Sequence, residues 1–406
     1  MDCCMSMIKR TAACRGSRCS ARRVSTSSSS WAWCASSACV GQLILSPTAR
    51  WTQFPITVAG SSSALPGNGS SALRLNQGIR IDDNNTLYIA DRGNHRIVVS
   101  QTNSTNATAM IGSGPGTASN QFREPTDLVV TNTSIYVLDA LNYRVQMWPR
   151  YGSSGSTVAG ITGSAGNSSS TATFGYSYGI YVDNGGYLHV SDQANHRVLR
   201  FPPSSTSGTS GIVVAGTGTP GSAPSQLNAP YRIFVDGART IYIADSANHR
   251  IQRWVHGACY GVTVAGTGTS GGTASQLNYP VSVIVDTNQI MYIGDQGNNR
   301  IHRWTVGDCS GRCIVGCTMT NGSAAYQFYL LQAMAFDSQG ALYVSDGGNH
   351  RVQKSGLMKD FSTFEYIHVH DMLMLSVIVC RSIDNDHEHC NSLDDHSATF
   401  AILRIK

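Results

Sequence analysis

The chain has 406 residues, only 13% of them charged, and it carries 41 glycines, with Ser, Thr and Asn crowding the stretches between short apolar runs. That composition describes many brief strands joined by turns and excludes a helical chain or a disordered acidic one. The net charge of +5 arises in residues 1–50, where Lys9, Arg10, Arg15, Arg18, Arg22, Arg23 and Arg50 face only Asp2; residues 51–354 hold 18 basic against 15 acidic residues, too balanced for a phosphate-tracking surface.

In chain order, residues 1–50 are rich in Arg and Ser and end in a weakly apolar stretch, 31–45, interrupted by polar residues. They read as a low-complexity or targeting segment, fitting a secretory signal and a mitochondrial leader each in part. Residues 51–354 are dominated by one repeated phrase. It reads Ala-Asp-Arg-Gly-Asn-His-Arg-Ile at 90–97 and recurs at 138–145, 191–198, 244–251, 294–301 and 345–352. Its Asp falls at 91, 139, 192, 245, 295 and 346, a period of 48 to 53 residues. Before each phrase stand two short β-branched or aromatic runs separated by a turn, such as Val283 to Asp286 and Met291 to Gly294. After it come a third run and, beyond a polar loop, a fourth of the Val-Thr-Val-Ala-Gly kind. Each unit is therefore expected to be a four-stranded antiparallel meander, and six such units arranged radially make an all-β six-bladed propeller with a central channel.

The fourth runs lie at 56–60, 109–112, 157–160, 212–216, 262–266 and 313–316, so one precedes the first complete set and none follows the last. The run Ile56–Gly60 is expected to become the outer strand of the final blade and so tie the two chain ends together. That closure implies a monomer. Past Lys354 the repeat grammar stops, and residues 355–406 read as an irregular tail, disordered or translated from a wrongly assigned exon. Within the tail, residues 372–380 are apolar but too short to span a bilayer. Metal ligation by His387, His389 and Cys390 with Asp384, Asp386, His368 and His370 is the alternative reading.

The phrase D-x-x-N-[HYN]-R, the preceding Tyr-Ile-Ala-Asp, and the Gln-Leu-Asn-x-Pro lead-in at 226–230 and 276–280 resemble NHL repeats over about three quarters of the chain. The resemblance implies the six-bladed fold but no single task. NHL proteins include secreted binding proteins, sensor domains, protein- or RNA-binding modules behind zinc-finger ligase domains, and a peptide-amidating lyase family that uses zinc and calcium in the tunnel.

Six copies of one phrase argue for architecture, since catalysis seldom needs a residue six times. The pairs Asp91 and Arg96, Asp139 and Arg144, Asp192 and Arg197, Asp245 and Arg250, Asp295 and Arg300, and Asp346 and Arg351 are thus expected to be structural. The Asp should accept N–H bonds from the turn it opens, and the Arg fork should bridge to a carboxylate or carbonyl. The motif histidines His95, His196, His249 and His350 read the same way. Departures are Tyr143 and Asn299 at the His position and Thr131 where other blades carry Asp82, Asp183, Asp236, Asp286 and Asp337; they mark either a binding sector or drift. Three residues after the motif Arg stand Val99, Met147, Arg200, Arg253, Arg303 and Lys354. The last four form a candidate binding arc for an acidic partner, against the plainer reading of a solvated strand face. The aromatics Trp148, Phe201, Trp254 and Trp304 are expected to pack between blades.

His189, His256 and His302 stand outside the motif without evident partners, and no metal site, cofactor or catalytic constellation is expected. Cys309 and Cys313 flank a turn and read as either a short disulfide or free thiols. Sequons at Asn68, Asn84, Asn103, Asn106, Asn132, Asn167 and Asn321 favour an extracellular location, with a cytoplasmic one as the alternative. The expected function is a non-enzymatic scaffold that holds a protein or glycan ligand on loops of one ring face. The alternatives are a metal-dependent lyase of the peptidyl-hydroxyglycine amidating type, or a recognition module for ubiquitin ligation or RNA. Neither a membrane span nor a nucleic-acid partner is expected.

Overall fold

A computed structural model describes residues 45–358 except 103 and 105. The segment 1–44, the tail 359–406 and the candidate ligands within that tail lie outside the described residues. Six four-stranded antiparallel sheets follow one another along the chain. Blade one comprises Ile79–Ile81, Thr86–Asp91, Arg96–Gln101 and Ala107–Ile111, and blades two to five repeat this plan. Blade six takes its three inner strands, Leu331–Phe336, Leu342–Asp346 and Arg351–Ser355, from the end of the described chain. Its outer strand is Ile56–Gly60, paired antiparallel with Arg351–Ser355 in the register Ile56 to Lys354 and Gly60 to Arg351. The closure expected from counting the fourth runs is therefore the one observed. Residues just outside the repeats also pack on the ring: Arg50–Trp51 pairs with Leu357–Met358, and Leu45, Ala49 and Trp51 are buried.

The innermost strands of consecutive blades touch one another all the way round, from blade one to six and back. Between adjacent blades lie the apolar cores. One core joins Tyr88, Ala90 and Ile97 of blade one to Leu128, Val137 and Trp148 of blade two. Phe201, Trp254 and Trp304 occupy the matching cores further round. Wedge-shaped sheets leave a gap that widens outward, and these large side chains fill it. One sequence expectation needs correction: Cys313 pairs with Cys317 and not with Cys309. Cys313 lies in the outer strand Arg312–Val315, and the left-handed Gly316 turns the chain so that Cys317 comes within a Cα separation of 5.6 Å.

Candidate functional site

The two ring faces differ in construction. On one, here the motif face, each D-x-x-N-x-R turn meets the loop that enters the innermost strand of its blade. The motif Asp ends the second strand. One of its oxygens accepts a backbone N–H from that entering loop at 2.6–2.9 Å: Arg74, Arg123, Gly175, Asn228, Asn278 and Tyr329 in blades one to six. The other accepts the motif Asn amide and the Arg Nε, the latter at 2.7–2.9 Å in all six blades. The rest of the guanidinium donates to loop carbonyls, as Arg250 does to Ser222, Ala223 and Gln226. From the turn they open the carboxylates thus take the Asn side-chain amide and no backbone N–H, whereas the sequence suggested backbone N–H bonds. They reach 16 or 17 residues back and fix the loop. Burial pushes the six carboxyls above their ordinary range, against the pull of these donors.

The residue after the motif Asn is left-handed in every blade, with φ from 50° to 58° at His95, Tyr143, His196, His249, Asn299 and His350. From there the imidazole Nδ1 of each histidine accepts a backbone N–H of the next blade. The pairs are His95 with Glu124, His196 with Ala229, His249 with Tyr279, and His350 with Leu75, at 3.0–3.2 Å. The last of these spans the junction of blades six and one. Burial lowers the pKa of His196 and His350, consistent with neutral rings that accept at Nδ1. Each donating residue is itself left-handed. After Tyr143 the next blade departs from that pattern, and Tyr176 there lacks the positive φ.

At the centre of the motif face, blade three supplies Tyr176 and Tyr178. Tyr178 stacks on Tyr231 of blade four at 4.1 Å and meets Tyr176 edge-on at 5.1 Å. The Tyr176 hydroxyl donates to Glu124 at 2.9 Å, which also takes two bonds from Arg92. The Tyr231 hydroxyl donates to Gln332 Oε1 at 2.8 Å, with Gln77 Oε1 of the facing blade at 3.3 Å. Beside this tier Leu75, Tyr279, Tyr329 and Leu330 are exposed on blades one, five and six.

Directly beneath, the channel is closed. Buried Arg232 of blade four donates to the Gln332 carbonyl of blade six at 3.1 Å and to the Thr126 carbonyl of blade two at 2.8 Å. It also forms an ion pair with buried Asp127, which accepts the Ile180 N–H at 3.0 Å. The equivalent positions in the other four blades are Gly78, Gly179, Ser282 and Ala333. They must be small. A β-carbon on Gly78 would lie 2.5 Å from an Asp127 carboxylate oxygen, and one on Gly179 would lie 2.8 Å from Arg232 Cα. Sequence reading missed this crossbar and the tyrosine tier, although comparing the first residues of the innermost strands across blades exposes both.

The four residues of the proposed arc lie toward the opposite face, each half-buried. Arg200 sits over the Tyr187 ring at 4.9 Å, Arg253 stands opposite Tyr242 in register, and Arg303 donates to the Pro47 carbonyl. Lys354 lies 3.4 Å from Asp337 and over Tyr343. Burial opposes its charge, but Tyr343 and Asp337 hold its pKa above the ordinary value. The four stand in four consecutive blades, each against groups nearby. His189, expected to lack a partner, is bonded to Asp183 at 3.2 Å. Thr131 takes the Ser134 N–H at 3.0 Å, the same service that Asp82 gives Thr86 at 2.8 Å. Among the described residues no three His, Cys, Asp or Glu side chains converge as metal ligands, and no helix is long and apolar enough to cross a membrane.

The chain carries NHL repeats: the family model matches residues 77–99 and 328–354, in blades one and six. No curated protein sequence matches significantly. Among solved structures, the chain is similar to a protein of unknown function from Bacteroides thetaiotaomicron, with a TM-score of 0.59, 15% identity, and 76% of this chain and 77% of that one covered. It is also similar to auxiliary nutrient binding proteins from Bacteroides thetaiotaomicron (TM-score 0.53, 13% identity, 76% and 78% covered) and Bacteroides ovatus (TM-score 0.52, 14% identity, 77% and 78% covered). At such identities the likeness is one of fold.

Proposed function

We propose that this propeller is a non-enzymatic binding module whose ligand, a protein segment or a glycan, rests on the motif face over the closed channel. The observation that carries the reading is the Tyr176, Tyr178 and Tyr231 tier seated on the Arg232–Asp127 crossbar. Aromatic rings flanked by amides and a charged pair offer apolar area at little entropic cost together with directional polar groups. The crossbar turns the channel mouth into a floor, so a ligand is held and not passed through. A tunnel lyase needs room and ligating groups along the axis, whereas this axis carries an arginine of blade four bonded to blades two and six. The nutrient-binding proteins of similar fold are compatible with this reading and do not establish it.

The test compares the native chain with Tyr178→Ala and with Tyr151→Ala, a substitution at a fully solvated loop on the opposite side. Both are screened against immobilised glycans, peptides and RNA. Retention of a glycan or peptide that Tyr178→Ala weakens roughly tenfold or more, and Tyr151→Ala leaves unchanged, supports the reading. Retention indifferent to Tyr178→Ala, or binding confined to RNA and lost steeply with salt, overturns it.

A further inference from the structure

A second site lies on the opposite face, between blades three and four, and stands independently of the motif-face reading. At four of the other seams on that face, groups of neighbouring blades meet or a side chain fills the gap. Arg150 of blade two reaches Asp82 and Tyr88 of blade one. Tyr242 of blade four bonds to Gln289 of blade five. Trp51 fills the next seam, with its ring against Tyr292 and Phe336 and its Nε1 on the Gly340 carbonyl. Ser338 of blade six bonds to Asn85 of blade one at 3.0 Å. The seam between blades three and four instead holds an open cavity of about 360 Å³ lined by His189, Arg200, Arg239, Trp254, His256 and the outer strand Ile212–Gly216.

The cavity follows from a departure in the repeat. Three residues before the motif Asp, five blades carry tyrosine: Tyr88, Tyr136, Tyr242, Tyr292 and Tyr343. Blade three carries His189, a shorter ring, 2% exposed. Its Nε2 is committed to Asp183, as the tyrosine hydroxyls of blades one, five and six are to Asp82, Asp286 and Asp337. Its Nδ1 is buried with no partner among the described residues. Burial lowers the His189 pKa, and nearby Arg200 and His256 act in the same direction, opposing Asp183. The ring is therefore neutral at pH 7, and with the proton on Nε2 the Nδ1 is an acceptor in need of a donor. Two guanidiniums frame the opening, Arg200 at 4.9 Å and Arg239 at 5.7 Å from the Tyr187 ring. No carboxylate forms an ion pair with either among the described residues. Ile212, opposite Arg200 in register, adds an exposed apolar side chain, at 52%.

We propose that this cavity binds an acidic sugar residue, its carboxylate between Arg200 and Arg239 and a ring hydroxyl donating to His189 Nδ1. A fully ionised simple anion satisfies the guanidiniums but has no hydrogen for Nδ1. A pyranose uronate brings the anion, hydroxyl donors beside it, and a C–H face for Ile212. The volume falls within the range of roughly 300–1,000 Å³ usual for small-ligand sites. The Arg fork suits a planar carboxylate.

Calorimetry on the full chain tests the assignment with a glucuronate-terminated disaccharide, the matching neutral glucose disaccharide, inorganic sulfate and a glutamate tripeptide. The uronate sugar is expected to bind, the neutral sugar to bind at least roughly tenfold more weakly, and sulfate and the peptide to be weaker than the uronate. Arg239→Ala, a change at an exposed turn, is expected to weaken the uronate roughly tenfold with melting temperature unchanged. His189→Tyr restores the residue of the other five blades, refills the seam and is expected to abolish binding. Tyr178→Ala, on the other face, leaves uronate binding intact even if the motif-face reading fails. Equal affinity for the neutral sugar, equal or tighter affinity for sulfate or the peptide, or indifference to Arg239→Ala overturns the proposal.

Discussion

At the residue scale, the caged pair of Asp and Arg is an anchor more than a bond. Its polar atoms are nearly all occupied, so its value appears when one member is removed. Asp245→Ala leaves Arg250 largely buried without its carboxylate and frees the Asn228 N–H. Losing one partner of a buried pair typically costs about 3–5 kcal/mol. Urea unfolding monitored by tryptophan fluorescence should show a loss of that order for Asp245→Ala and a smaller one for Asp245→Asn, which keeps an acceptor. A cost below about 1 kcal/mol for Asp245→Ala would mean that water replaces the cage. The histidine latch is a lighter device. His350→Asn places at the junction of blades six and one the residue that blade five tolerates at Asn299, left-handed in both. The expected cost is about 0.5–1.5 kcal/mol, one net hydrogen bond.

At the scale of elements, ring closure rests on the five residues Ile56–Gly60. Removing residues 45–60 uncovers the edge of Arg351–Ser355 and also extracts Trp51 from between Tyr292 and Phe336. An uncovered edge strand is a template for another chain. The truncated protein should therefore melt many degrees lower and elute as higher oligomers in size-exclusion chromatography; a monomer melting within about 2 °C of the native chain rules out this account of closure. The same five residues show why the fold was legible in the sequence. Strand identity is written in runs of β-branched residues and turn identity in Gly, Asn and Asp, and six copies let each blade check the others. The crossbar and the mouth were less legible because Arg232, Asp127 and Tyr178 act through pairings about 50 to 100 residues apart, which no local pattern encodes. His189 is visible as a histidine, but its place as the missing tyrosine of its blade emerges only when the second strands are aligned position by position. The disulfide was misread because the turn at Gly316 decides which cysteine Cys313 can reach.

For the whole molecule, the histidines tie stability to pH. Burial lowers the pKa of His189, His196 and His350, and carries His302 down to about 4. In the unfolded chain each imidazole takes a proton near pH 6.5. Below that value the unfolded state binds more protons than the folded one, so stability that is complete above about pH 6.5 drains away as the pH falls through the folded values, His302 yielding last. The six caged carboxyls have the opposite sign. Their raised folded values favour the folded state at low pH and lose that contribution as pH rises through them, so they blunt the acid slope without reversing its upper part. Melting temperature measured from pH 8 to pH 4.5 should be flat above about pH 6.5 and decline below it. His350→Asn should start lower at pH 8 and show a shallower decline, because it removes one titrating latch. An unchanged slope in that variant would show that the seam between blades six and one does not open to a proton, leaving His189, His196 and His302 as the acid-sensitive points. That outcome would place the ring's weakest junctions inside blades three and five, away from the point where the chain ends meet.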